Sequence, residues 1–68
     1  MKVHLHDARG QDIADCDWAY IPRIGEGVLL DDPPDPYRVR DVVWDTAEGE
    51  LIVRIRLGLF DPLIDTQH

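Results

Sequence analysis

Sixty-eight residues, a formal net charge of −7 and a single cysteine describe one small domain without an internal disulfide, which excludes the cross-linked secreted miniproteins. A chain of this size buries only about 60% of the surface its unfolded form exposes, so its stability is marginal and a protein partner or a homo-oligomer would add to it. The acidic balance argues against non-specific nucleic-acid binding, and without a leader-like N-terminus or a run of about 20 apolar residues a soluble, cytoplasmic protein with no membrane contact is expected.

Some residue types are missing altogether. There is no serine and no asparagine, and Lys2 is the one lysine. That leaves neither a serine nucleophile nor an interior amine for Schiff-base chemistry. Charge is also unevenly placed: residues 1–36 carry three basic and eight acidic side chains, residues 37–57 four of each, and residues 58–68 two acids.

In residues 1–20, Val3 and Leu5 alternate with His4 and His6, the period of a strand with one buried face. Asp7-Ala8-Arg9-Gly10 reads as a turn. A second extended run follows, with Cys16, Trp18 and Tyr20 on a face expected to be buried and Asp15, Asp17 and Ala19 on the other; a short helix over residues 12–17 is the rival reading. In residues 21–36, Pro22, Gly25 and Gly27 break the pattern, and Val28-Leu29-Leu30 predicts a short strand. Asp31-Asp32-Pro33-Pro34-Asp35-Pro36 suits neither helix nor sheet and predicts a stiff exposed loop.

Residues 37–57 read as a long β-hairpin with its turn at Thr46-Ala47-Glu48-Gly49. Pairing Asp45 with Glu50 sets Trp44 opposite Leu51 and Val42 opposite Val53, all inward. Continued unbroken, that register would bury Arg40, which is costly. An extra residue at Arg40-Asp41, both facing Arg54, returns Val39 to Ile55 and Tyr37 to Leu57. The pattern therefore predicts a β-bulge there. A three-residue turn over 47–49 is the alternative, and would shift the pairing by one. In the tail 58–68, residues 58–62 predict a turn, Leu63-Ile64 a last short strand, and residues 66–68 a frayed end.

Four to five short strands separated by Gly/Pro loops imply an all-β fold, a small barrel or curled antiparallel sheet. Pro22-Arg23-Ile24-Gly25-Glu26-x-Val28, then Tyr37-Arg38-Val39, then Val42-x-Trp44-Asp45 resemble small SH3-like barrel proteins of bacteria and phages. The resemblance covers residues 21–57 and implies a barrel with a binding role and nothing catalytic.

The outward face of the hairpin should show Arg38, Arg40, Arg54 and Arg56, with Asp41 among them and Val43 and Ile52 toward the turn. Arginines beside a small apolar contact suit a protein partner's carboxylates or phosphates. The plainer reading is neutralisation within the chain, since Arg38 facing Arg56 needs an offset. His4-x-His6 supplies two imidazoles to one strand face, but a metal needs further ligands, for which only Cys16, His68 and the aspartates are available. Asp12, Asp15 and Asp17, and separately Asp31, Asp32 and Asp35, lack the full spacing of a calcium loop; they read as solvated loops, or as an acidic surface imitating nucleic-acid phosphates. Cys16 reads as a small core residue, and Trp18 and Trp44 as core anchors, one of which would instead serve an interface if exposed. Glycine-rich phosphate loops, nucleophile elbows and paired acid–base groups are all missing.

The expectation is therefore a non-enzymatic interaction module or accessory subunit of a larger, phage-related assembly, without cofactor, metal or small-molecule substrate. An acidic inhibitor of a basic partner, such as a phage-encoded anti-defence protein, is the alternative. A small nucleic-acid-binding barrel is the third reading.

Overall fold

The computed structural model describes residues 1–30, 36–46 and 49–65. Five strands, β1 (Lys2–His6), β2 (Asp12–Asp17), β3 (Gly27–Leu29), β4 (Pro36–Asp45) and β5 (Ile52–Leu59), are followed by one helical turn, α1 (Pro62–Asp65). They form one all-β sheet in the order β2-β1-β5-β4-β3, curled into a half-barrel. All neighbours are antiparallel except β1 and β5, which run parallel with Val3 beside Val53 and Leu5 beside Ile55. The sheet does not close, because no Cα of β2 comes within 8 Å of a Cα of β3.

The alternating residues of the three central strands supply the core. Val3 and Leu5 of β1, Val39 of β4, and Val53, Ile55 and Leu57 of β5 are fully buried. Each contributes roughly 1.5–3 kcal/mol on leaving water. Tyr37 is buried at the edge of this cluster, and Cys16, Trp18, Ile21, Val28, Leu30 and Val42 pack around it. No polar or charged residue is buried among those described.

Local chemistry fixes the ends of the strands. Asp7 accepts hydrogen bonds from the backbone N–H groups of Arg9 and Gln11, while Gly10 takes a φ of 84°. A short polar side chain and a left-handed glycine together make the β1–β2 turn. Glu26 accepts the N–H of Arg23 at 2.6 Å, Gly25 adopts a φ of 92°, and Gly25 N–H reaches Val39 O at 2.8 Å; the 23–26 turn is thereby tied to β4. Asp61 accepts the N–H of Leu63 at 2.9 Å and Pro62 follows it, the N-cap and first position of a helix.

The hairpin bulge stands where the alternation places it. Register breaks between Val39 and Asp41, leaving Arg40 as the extra residue, and the paired residues of β4 and β5 keep their expected faces. The partners differ by two residues: Trp44 opposes Val53, Val42 opposes Ile55, Asp41 opposes Arg56 and Val39 opposes Leu57. The loop is longer than the expected turn, since the last pair is Asp45 with Ile52. A shift of two leaves the inward set unchanged, so periodicity alone cannot detect it.

Several expectations are corrected. Tyr20 is 83% exposed, because β2 ends at Asp17 and the chain bends away before Tyr20 can join the core face. Trp44 is 53% exposed and Leu51 is also exposed; Trp44 has the inward phase, but it lies beyond the reach of the covering residues, and Leu51 precedes β5. Residues 12–17 form the strand that was expected, and the rival helix is set aside. Gly58 and Leu59 belong to β5, and Leu63-Ile64 fall in α1 where a last strand was expected. Pro36 opens β4, whereas residues 31–35, with Asp31, Asp32 and Asp35, lie outside the described residues, as do residues 47–48 of the hairpin loop and the end 66–68 with His68. No helix among the described residues is long and apolar enough to cross a membrane.

Candidate functional site

The outer face is a ladder of charges set by register. From β2 to β4, one row reads Asp15, His4, Arg54, Val43 and the next reads Asp12, His6, Arg56, Asp41. Acidic, imidazole and guanidinium groups thus lie side by side across four strands. A second bulge helps to build this face: register shifts between Leu5 and His6, so Asp12 pairs with His6 and Ala14 with Leu5, with Ile13 as the extra residue. Without it, Asp12 and Asp15 would fall on opposite faces.

The four hairpin arginines do not form one patch. Arg38 opposes Gly58, not Arg56. Its guanidinium lies 5.2 Å from the Phe60 ring centroid, and its Nη1 donates to Gly25 O at 3.5 Å. Arg40 donates from Nη2 to Leu59 O at 2.9 Å. Both side chains lie flat because their neighbours are glycines: a Cβ on Gly27 would meet Arg38 Nη1 at 3.1 Å, and one on Gly58 would meet Arg40 Nε at 2.7 Å. These two arginines hold the bulged end of the hairpin.

At the other end, Arg54 Nε donates to Asp45 Oδ2 at 2.9 Å in a half-exposed ion pair. Such a pair orients the side chain more than it stabilises the fold. Asp41, which sequence reasoning set among the arginines to neutralise them, accepts the N–H of Val42 at 3.0 Å. Arg56 is exposed, and its side chain makes no ion pair or hydrogen bond among the described residues. It borders a depression of about 180 Å³ shared with Val43, Arg54, Asp41, His6 and Asp7. Val43 is 49% exposed, and Ile52 is half-buried beside it.

The histidines fill the middle of the ladder. Their ring centroids are 6.4 Å apart. His6 Nδ1 lies 3.0 Å from Asp12 Oδ1 but is misaligned for a hydrogen bond, and both His6 ring nitrogens are buried without one. His4 Nε2 is 3.9 Å from Asp15. Cys16 pairs with Val3 and so faces the core, away from these histidines. The described residues hold no group of three or more His, Cys, Asp or Glu arranged for a metal ion. Burial pushes the Cys16 thiol up from its ordinary value, and Asp15 adds to the shift; both effects disfavour the thiolate that a nucleophile requires.

The exposed aspartates of β2 have local partners too. Asp17 binds the Met1 ammonium, whose hydrogen bond and charge hold its carboxyl below the usual range. Lys2 and Glu50 are paired, which lowers Glu50 and raises Lys2. The chain matches no protein-family model, no curated protein and no solved structure.

Proposed function

We propose that this protein is a non-enzymatic interaction module that meets a protein partner through the outer face of the β4–β5 hairpin, at Val43, Ile52, Arg54 and Arg56. The carrying observation is Arg56, an exposed guanidinium left without a partner among the described residues beside an exposed valine. Arginine next to a small apolar contact, rimmed by polar groups, is the composition of interface centres. A partner carboxylate set beside an apolar side chain would satisfy both, with Arg54 held in place by Asp45. Arg38 and Arg40 keep the bulged end of the hairpin in shape and lie outside the contact.

Two variants test this reading. Arg56→Glu and Val43→Asp change exposed side chains and should leave the far-ultraviolet circular dichroism unaltered. Quantitative pull-down should then show proteins captured by the native chain falling by about tenfold or more, the equivalent of roughly 1.4 kcal/mol. Undiminished capture by both folded variants rejects the surface.

The bulge at Ile13 supports a second reading, an acidic inhibitor or nucleic-acid mimic. It brings Asp12, Asp15 and Asp17 onto one face of an edge strand, at the roughly 7 Å spacing of alternate strand residues. On this reading, capture of a basic partner weakens steeply with salt and is lost when the three become asparagine, while Arg56→Glu has no effect.

A further inference from the structure

We propose that the gap between the two edge strands, β2 and β3, receives one extended basic segment of a partner, which adds as a sixth strand and closes the half-barrel. The sheet ends at β2 on one side and β3 on the other. Hydrogen-bonded strands lie about 4.7–4.9 Å apart, so two edges with no Cα pair within 8 Å are not bonded to each other. One strand between them would require roughly 9–10 Å.

The gap has the shape of a binding site. A concavity of about 500 Å³ lies where the connector joins the two edges: Asp17 ends β2 on one side, residues 18–22 of the connector form its wall, and Glu26, Gly27 and Val28 lead into β3 on the other. That volume is in the range of ligand-binding clefts. Trp18, packed against the core, and the exposed Tyr20 give it aromatic walls.

The edges also differ in how they are protected. Natural edge strands are blunted by charges, prolines or bulges. β2 carries three aspartates and the Ile13 bulge, whereas β3 is Gly-Val-Leu with Leu29 81% exposed. Strand addition needs such an unguarded edge. β3 is therefore the docking edge, and β2 sets the charge preference from across the gap.

Charge selects the occupant. Among the described residues no lysine, arginine or histidine lines the concavity, while Asp17 and Glu26 do. Asp17 already holds the Met1 ammonium. A strand alternating apolar and basic side chains would turn the first toward Trp18 and the second toward the carboxylates. A second copy of this chain, at −7, would meet like charge. The outer hairpin face is not involved, so loss of either surface leaves the other in place.

The test uses the whole chain with the probe peptide acetyl-Lys-Val-Arg-Val-Lys-Val-amide and its counterpart with glutamate at the basic positions. The basic peptide should change tryptophan fluorescence saturably and slow amide hydrogen exchange at Val28 and Leu29 by about tenfold or more. Ala19 is exposed and lines the gap, so Ala19→Arg should preserve the fold and weaken binding about tenfold. Slowing confined to residues 43–56, equal binding of the acidic peptide, or no slowing at β3 would each overturn the proposal. Sedimentation of the protein alone as a dimer with β3 already protected would assign the gap to a second copy, and overturn it as well.

Discussion

Arg40 can lie across the sheet because residue 58 has no side chain. Its Nη2 reaches Leu59 O at 2.9 Å, and the space a Cβ would occupy on Gly58 is 2.7 Å from Nε and 3.1 Å from Cγ of Arg40. These are mid-chain atoms, so the arginine must leave its place if residue 58 gains a methyl. Gly58→Ala should therefore cost about 1–3 kcal/mol, the range for overpacking, seen as a lower denaturant midpoint with an unchanged slope. In an Arg40→Ala background the penalty should largely vanish, and the difference between the two is the coupling. Equal penalties in both backgrounds would assign the cost to the strand backbone. Arg38 over Gly27 uses the same device with a looser fit, 3.1 Å to a terminal nitrogen. A glycine opposite an arginine inside a strand was the available sequence sign of this arrangement, and it needs the true register to be recognised.

At the scale of the element, the bulge decides which residues are core. Val42 and Val39 both pack inward although they are three apart, because Arg40 is taken out of the alternation. Deleting Arg40 would make the pairing continuous and leave each face as it is, since Val39 already lies opposite Leu57 and Asp41 opposite Arg56 with Arg40 skipped between them; Val39 and Tyr37 would turn outward only if Arg40 stayed and the bulge were lost. The chain lacking Arg40 should therefore remain folded, with well-dispersed amide signals by NMR, and should lose the Arg40 bond to Leu59 O and the local bend. Collapsed dispersion from the deletion, with Arg40→Gln still folded, would show that the fold needs the bend made by the bulge and not the alternation alone. This element was legible in the sequence because burying an arginine is so costly that the break in pattern has few solutions. Its register was less legible, since faces are indifferent to a shift of two. The outward set of Val43, Ile52, Arg54 and Arg56 followed from phase. That Arg38 and Arg40 are bound by nearby backbone carbonyls did not, because it depends on which residue lies opposite. Tyr20 and Trp44 were misread for one reason: phase says which way a side chain points, and exposure depends on what arrives to cover it.

For the whole molecule, the decisive contact joins the two ends of the chain. β1 lies between β2 and β5 and runs parallel to β5, each residue pairing with one 50 positions later, so the N-terminal hairpin is held on the sheet by a long-range contact. Short-range patterns carry no sign of such a pairing, and loop closure makes it slow to form. It is also what completes the core, since Val3 and Leu5 are two of the six fully buried side chains among the described residues. Losing either to alanine size costs about 2–5 kcal/mol for leucine and somewhat less for valine. A domain this small has only about 3–5 kcal/mol of core stabilisation to lose. Removal of residues 1–6 should therefore unfold the entire domain, leaving β2 without a neighbour and β5 as an edge with Val53 and Ile55 uncovered. The expected result is a random-coil circular dichroism spectrum for the 7–68 chain. A synthetic peptide of residues 1–17, which carries β1 with β2, should restore the β signal when added in excess. A cooperatively melting 7–68 chain would mean that β3, β4 and β5 hold the fold by themselves, with the N-terminal hairpin as an appendage.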